Sequence, residues 1–182
     1  MSEIYKIKNY EIEIYKGDIT KLNVDAIVNA ANSSLLGGGG VDGAIHWAAG
    51  PELLKECMTL NGCKTGEAKI TKGYKLPAKY VIHTVGPIWR NNETEKEKNK
   101  FKNQLMNCYI NSIKLANENN IKTIAFPCIS TGIYSFPKEL ACQLSLASIV
   151  NNDIGSIEKV IFCCFDEESY GYYVNEMKYL NK

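Results

Sequence analysis

The sequence between residues 29 and 46 reads NAANSSLLGGGGVDGAIH, with four consecutive glycines, Gly37 to Gly40, at its centre. A run of glycines lets the backbone approach a ligand without interference from side chains. Its N–H groups can form a concave nest, and a helix that follows adds its positive N-terminal end. The pattern predicts a site for a phosphate-bearing ligand, with Asn32 and Asp42 beside that ligand on either side of the glycines.

Length and charge limit the classes of protein to consider. The chain has 182 residues, of which 23% are charged, and a formal net charge of +1. This length suits one domain with a sizeable core, so we expect residues 1–182 to form a single domain. The near-neutral balance does not favour a nucleic-acid-binding surface, which normally carries an excess of cations. It is compatible with a small anionic ligand held by backbone amides.

The N-terminus and the cysteines favour a cytoplasmic protein. Residues 1–8 are polar and alternating, unlike a signal peptide, and no apolar run approaches the ~20 residues that a membrane helix needs. The seven cysteines include no Cys-x-x-Cys pair, so we expect reduced thiols. The two histidines, His46 and His83, lack zinc-type spacing, and we expect no metal site.

Strands alternate with helices along most of the chain, after an initial pair of strands. The predicted strands cover residues 4–8, 10–15, 25–28, 67–71, 79–85, 123–129 and 159–165. The predicted helices cover residues 41–49, 51–60, about 101–119, 137–150 and 167–180, and the charged segment 89–100 is predicted as a loop. This order predicts an α/β protein with helices on both faces of a mixed sheet.

Four segments after predicted strands carry candidate site residues, because ligands of open α/β sheets bind beyond the carboxyl ends of strands. They are residues 17–20 (Gly-Asp-Ile-Thr), 29–46, 130–135 (Ser-Thr-Gly-Ile-Tyr-Ser) and 165–166 (Phe-Asp). The amides and hydroxyls of the 130–135 segment suit a second phosphate contact, which predicts a diphosphate clamped between two loops. Taken alone, this segment is also compatible with an ordinary strand-to-helix turn.

Three candidate side chains have a second interpretation. Asp18 suits a hydrogen bond from an exocyclic amine, but Asp before Ile-Thr is also a common helix cap. Phe165 suits stacking on a base, but it also suits simple core packing. Tyr134 suits covering a sugar, but it is also typical of a partly exposed turn.

The remaining polar candidates are given supporting or structural roles. Asp42 and His46 are four positions apart and share a helix face, so we predict that His46 supports Asp42 rather than acting as the base. We predict His83 to be a core residue of its strand. We predict Cys128 to be a packing residue, because no histidine adjoins it in the sequence. The match of residues 38–43 to G-x-G-x-x-G is weak, since these glycines come well after the strand.

Taken together, these segments resemble the macrodomain family, specifically its MacroD-type branch of ADP-ribosyl and O-acetyl-ADP-ribose hydrolases. The resemblance covers almost the whole chain in the same order. The matching segments are residues 17–20, 28–32, 37–46, 83–87, 130–134 and 165–168. The resemblance implies a three-layer α/β/α macrodomain with a central mixed, mostly parallel sheet.

The resemblance also implies ADP-ribose as the ligand. Asp18 would bind the adenine amino group, with Ile19 beside the ring and Phe165 stacked on it. Two loops would hold the diphosphate, and their residues are Gly38, Gly39, Gly40 and Val41 in one and Ser130, Thr131, Gly132, Ile133 and Tyr134 in the other.

The catalytic centre that the resemblance implies consists of Asn32, Asp42 and His46. Asn32 would bind and orient the distal ribose. Asp42 would position or deprotonate the water that attacks the anomeric or acyl carbon, and His46 would support it. Neither a cofactor nor a metal is expected in this reaction.

The leading hypothesis is a monomeric hydrolase that removes ADP-ribose from mono-ADP-ribosylated acidic residues of proteins, or acetyl from O-acetyl-ADP-ribose. The alternative is a non-catalytic reader of ADP-ribose, and the presence of both Asn32 and Asp42 favours the enzyme. A nicotinamide-dependent oxidoreductase is disfavoured by the displaced glycines and by the lack of a second substrate domain. Modified nucleic acid presents the same distal ribose, but the charge balance does not indicate it.

Overall fold

One seven-stranded sheet organises residues 1–182, all of which the computed structural model describes. The strands are β1 (Ser2–Ile7), β2 (Tyr10–Lys16), β3 (Ala26–Ala31), β4 (Ala68–Lys72), β5 (Tyr80–Val85), β6 (Thr123–Phe126) and β7 (Lys159–Cys164). The helices are α1 (Gly40–Ala49), α2 (Pro51–Met58), α3 (Glu95–Glu118), α4 (Lys138–Val150) and α5 (Glu167–Leu180), with a 3-10 turn at Ile19–Lys21. The helices include no candidate for a membrane-spanning segment.

The strand order across the sheet is β1-β2-β7-β6-β3-β5-β4. The five central strands, from β2 to β5, pair in parallel, and the edge strands β1 and β4 are antiparallel to their neighbours. The prediction of a mixed, mostly parallel sheet is confirmed. The carboxyl ends of the five parallel strands therefore lie along the same edge of the sheet, which is where such folds bind ligands.

Two hydrophobic clusters cover the two faces of the sheet. Leu105 of α3, Leu146 of α4 and Tyr173 of α5 belong to one cluster. The other cluster includes Ile45 of α1 and Leu53 of α2. Neighbouring residues of β3 enter opposite clusters, as successive side chains of a strand point to opposite faces. The predicted three layers are confirmed.

Two predicted boundaries are wrong, and each has a local cause. α3 begins at Glu95 rather than after Lys100, because the Thr94 hydroxyl accepts a hydrogen bond from the Glu97 N–H at 3.2 Å and caps the helix. β6 ends at Phe126 rather than at Ile129, because Pro127 has no N–H to donate to a neighbouring strand.

The end of β3 also differs from the prediction, with consequences for the site. The strand continues to Ala31 instead of ending at Val28. Asn29 therefore lies inside a central strand, with no exposed surface, rather than in the loop that follows. The other strand and helix ends lie within two residues of their predicted positions.

The aromatic core under α3 predicts a large effect of truncation at Phe126. This fully buried ring lies 4.9 Å from Tyr109 and 6.0 Å from Phe162, measured between centroids. We expect Phe126→Ala to lower the free energy of unfolding by about 3–5 kcal/mol in urea titrations. Phe165→Ala is the control, because that ring is 89% exposed, and it should change stability by less than about 0.5 kcal/mol. Equal losses in both variants would contradict this assignment of the core.

Candidate active site

The four glycines lie in an open loop after β3, and the last of them, Gly40, begins α1. Gly37 (φ +92°) and Gly40 (φ +57°) adopt left-handed backbone conformations that favour glycine. A Cβ atom placed on Gly39 or Gly40 would meet no atom within 4 Å. The backbone N–H groups of residues 38–42 find no acceptor within the chain, because the first turn of a helix leaves its N–H groups unpaired. These amides are available to an anion.

Asn32 holds the glycine loop in place. Its Nδ2 donates to the Gly37 carbonyl at 2.9 Å, and its Oδ1 accepts from the N–H and hydroxyl of Ser34 at 3.2 and 2.6 Å. A Cβ atom on Gly38 would lie 3.3 Å from the same Nδ2. Since an amide nitrogen has two N–H groups, Asn32 retains one for a ligand beside Gly38.

Asp42 lies in the first turn of α1 with only 5% of its surface exposed. Its Oδ1 accepts a hydrogen bond from Asn29 Nδ2 at 2.8 Å. Its Oδ2 lies 3.0 Å from the position that a Cβ atom on Gly38 would take. One carboxylate oxygen is therefore held by the protein and the other faces the glycine loop, close to Asn32.

His46 lies one helical turn after Asp42, on the face that the spacing predicts. Its Nε2 is 3.5 Å from Asp42 Oδ1, and this nitrogen is buried without a hydrogen-bond partner. The structure therefore brings Asn32, Asp42 and His46 together at the end of β3. It leaves the imidazole next to the carboxylate rather than hydrogen-bonded to it.

A buried polar network lies behind Asp42. Asn29 Nδ2 is also 3.1 Å from His83 Nδ1, and His83 Nε2 is 2.9 Å from the Thr71 hydroxyl. Burial, and to a lesser extent the charge of His46, lower the pKa of His83 to about 3. His83 is a core residue, as predicted, but its link to Asp42 was missed. The available signal was a pair of polar residues, Asn29 and His83, in the centres of two buried strands.

The second loop presents backbone amides. The N–H groups of Gly132, Ile133 and Tyr134 have no acceptor within the chain, and a Cβ atom on Gly132 would meet open space. Of the two hydroxyls predicted to join them, one is hydrogen-bonded within the chain and the other is buried without a partner. Thr131 Oγ1 donates to the Cys128 carbonyl at 2.8 Å, and Ser130 Oγ is buried against Gly86. The backbone N–H groups are therefore the donors that this loop offers to an anion.

Asp18 and Phe165 lie side by side, because the Gly17 N–H donates to the Cys164 carbonyl at 3.0 Å. Asp18 caps the 3-10 turn: its Oδ1 accepts from the N–H and hydroxyl of Thr20 at 2.9 and 2.7 Å. Its Oδ2 is left free, so the cap does not exclude a contact with an amine. Phe165 is exposed, so the core-packing interpretation of this residue is wrong. Ile19 is buried next to them.

A cavity of about 370 Å³ adjoins the site. Its lining includes Ser33, which follows Asn32, and Tyr134 of the second loop, together with Arg90, Lys100 and Phe101. The cavity therefore borders the segment that follows Asn32 on one side and the second loop on the other.

The structure offers neither a metal cluster nor a disulfide. No group of three or more His, Cys, Asp or Glu side chains is arranged to hold a metal ion, and all seven cysteines are unpaired. Burial raises the pKa of Cys57 to about 11 and that of Cys163 to about 12, so both thiols stay protonated at neutral pH. Cys128, with its Sγ 4.0 Å from Cys164 Sγ, packs against the hydrophobic core as predicted.

A model of the Macro domain family matches residues 28–145, which include both loops. The chain belongs to the macrodomain family. It is 55% identical over 97% of its length to the human ADP-ribose glycohydrolase MACROD2, and it spans 41% of that relative. The fold matches the Oceanobacillus iheyensis macrodomain with ADP (TM-score 0.91, 42% identity, 99% of this chain and 96% of the other). It also matches the Trypanosoma brucei macrodomain in complex with ADP-ribose (TM-score 0.82, 44% identity, 91% and 68%).

The open surface at Gly39 predicts separate effects of substitution on stability and on binding. Gly39 does not adopt a left-handed backbone conformation, and a Cβ atom added to it would meet no atom within 4 Å. The Gly39→Val variant should therefore fold normally, while its side chain enters the space over the free amides. We expect ADP-ribose affinity, measured by calorimetry, to fall at least tenfold, or ~1.4 kcal/mol. Gly171→Ala in α5, which also meets open space, is the matched control. Unchanged affinity in Gly39→Val would contradict the role of the loop.

The neutral state of His83 predicts a pH dependence of stability. The folded chain keeps this imidazole unprotonated down to about pH 3, whereas the unfolded chain protonates it near its ordinary pKa of 6.5. Between these values the unfolded state binds more protons, so the free energy of unfolding falls as the pH falls, by at most about 1.4 kcal/mol per pH unit from this residue. Urea titrations between about pH 7 and pH 4.5 should show a smaller slope in His83→Leu than in the wild type. Identical slopes would refute this assignment.

Proposed function

We propose that this macrodomain binds ADP-ribose and hydrolyses the ester that joins the distal ribose to an acidic side chain or to an acetyl group. The observation that carries the proposal is the position of Asp42. One of its oxygens is fixed, and the other faces the glycine loop beside the free N–H of Asn32. A reader module would need the loop amides but not this carboxylate.

The order of features along the sheet edge supports ADP-ribose as the ligand. Asp18 and Phe165 lie at the ends of β2 and β7, the free amides of the second loop follow β6, and the glycine loop follows β3. These four strands are neighbours, so the features extend over three strand spacings, about 14 Å. ADP-ribose carries a base, a diphosphate and a distal ribose in that order. The base suits the amine acceptor and aromatic ring at β2 and β7, the diphosphate suits the free amides of the two loops, and the distal ribose suits the amide of Asn32 and the carboxylate of Asp42.

The arrangement at Asp42 suits hydrolysis of an ester. A water molecule beside Oδ2 would be oriented by the carboxylate and attack the anomeric or the acyl carbon. The ester C–O bond then breaks, and the products are ADP-ribose and a free carboxylic acid. The water's proton passes to Asp42 or to the phosphate of the ligand, and His46 lies close enough to support either route.

Two features support mono-ADP-ribosylated proteins among the substrates, alongside O-acetyl-ADP-ribose. The cavity lined by Ser33 and Tyr134, beside the site, provides room for the residue that carries the ADP-ribose. A relative at 55% identity is named an ADP-ribose glycohydrolase. The seven unpaired cysteines support work in a reducing compartment, for which the cytoplasm is our proposal.

The proposed reaction predicts that Asp42→Ala separates turnover from binding. The variant removes the water-orienting carboxylate but leaves the amides of both loops. We expect hydrolysis of O-acetyl-ADP-ribose and of a mono-ADP-ribosylated protein to fall at least ~100-fold. ADP-ribose affinity should stay within about tenfold of the wild type. Chromatography of released ADP-ribose and calorimetry measure the two quantities.

The same assays distinguish the competing functions. Binding of ADP-ribose without turnover of either substrate by the wild type would establish the reader module instead. Full turnover by Asp42→Ala would remove this carboxylate from the mechanism. Glu139→Ala, which changes an exposed carboxylate on α4, controls for the loss of a negative charge.

A further inference from the structure

The polar network behind Asp42 has a defined direction. A carboxylate oxygen only accepts hydrogen bonds, so the Asn29 atom 2.8 Å from Asp42 Oδ1 must be the nitrogen Nδ2. The same Nδ2 lies 3.1 Å from His83 Nδ1. Because an amide nitrogen only donates, His83 Nδ1 must accept and therefore carries no proton.

The other side of the imidazole is consistent with this assignment. His83 Nε2 lies 2.9 Å from Thr71 Oγ1, and that hydroxyl donates to the Lys72 carbonyl at 3.1 Å. Since the hydroxyl proton is used, Nε2 is the donor to Thr71. The hydrogen bonds thus define one tautomer of a neutral imidazole, with its proton on Nε2.

Nothing else in the protein orients the Asn29 amide. Its Oδ1 is buried without a hydrogen-bond partner, so the choice between its two orientations depends on the two contacts of Nδ2. An imidazole with a proton on Nδ1 would meet Nδ2 donor to donor. Reversing the amide would relieve that clash, but would place Oδ1 against the carboxylate of Asp42, acceptor to acceptor.

We propose that His83, as the neutral Nε2–H tautomer, is a positioning residue for hydrolysis: it keeps the Asn29 amide turned towards Asp42 and so holds the carboxylate with Oδ2 at the glycine loop. The inference rests on the function proposed above. His83 itself has no exposed surface, and its hydrogen-bonding contacts lie in β3, β4 and α2 rather than in either loop. It acts on the reaction through Asn29 alone.

The surroundings of His83 keep its imidazole neutral. The titratable groups around it are Cys57, with Sγ 3.8 Å from Nε2, His46, with ring centroids 6.4 Å apart, and Asp42 beyond Asn29. Burial opposes a positive charge on the ring, and the pKa of His83 near 3 keeps it neutral across the physiological range.

Three variants test the proposal in the full chain. His83→Leu removes the acceptor for Asn29, and we expect kcat for O-acetyl-ADP-ribose to fall about tenfold or more, with ADP-ribose Kd within about threefold of the wild type. His83→Asn places an amide oxygen near the position of Nδ1 and should recover most of the lost kcat. Cys57→Ala is the matched control, because it removes the thiol 3.8 Å from Nε2 but leaves the hydrogen bonds from Nδ1 through Asn29 to Asp42 in place.

The tautomer is measured directly from the imidazole ¹⁵N signals of His83. We expect a protonated Nε2 and an unprotonated Nδ1, with no titration between about pH 8 and pH 5. A folded His83→Leu variant with wild-type kcat would overturn the proposal, and so would a proton on Nδ1. If the wild type hydrolyses neither substrate, the proposed function fails and this inference fails with it. A wild type that hydrolyses the substrate and a folded His83→Leu variant that does not would support both the proposed function and the positioning role. An active wild type with an equally active variant would contradict the positioning role only.

Discussion

The parallel pairing of β3 with β5 on one side and β6 on the other is the constraint on which the site depends. Pairing with β5 sets Asn29 opposite His83 in register, in the centre of the sheet, where both side chains must find partners. Pairing with β6 brings the glycine loop next to the loop of residues 127–136, so that two sets of unpaired amides face the same edge. A different strand order would separate Asp42, the Asn29–His83 pair behind it and the two anion-binding loops.

The site divides into a backbone part and a side-chain part with different physical demands. The backbone part needs N–H groups without internal acceptors, and two loops at strand ends supply them because neither continues a ladder. The side-chain part needs a carboxylate that stays in one orientation while largely buried. The protein meets this demand with a chain of neutral hydrogen-bonding groups that runs from Thr71 through His83 to Asn29. A neutral partner fixes the geometry of Asp42 without neutralising its charge.

Several side chains stabilise the fold and also line the site. This is why the sequence around such a residue is compatible with both a structural and a ligand-binding role. Asp18 caps a 3-10 turn with one oxygen and leaves the other free. Asn32 ties the glycine loop to the end of β3 while keeping an N–H beside Gly38. Phe165, by contrast, contributes little to the core, and its exposure suits a ligand that brings its own flat surface.

The order and type of the helices and strands could be predicted from the amino-acid sequence, since hydrophobic periodicity and the stops at Gly and Pro are local signals. The family and the pairing of Asp42 with His46 could also be predicted from the sequence, the pairing because four residues make about one helical turn. The contacts between buried polar groups, by contrast, depend on how the strands are arranged in the sheet. Asn29, Thr71 and His83 come from three strands, and nothing near each residue in the chain specifies the others. The inward turn of the Ser130 hydroxyl against Gly86 likewise depends on the tertiary structure, since that contact joins loops more than 40 residues apart.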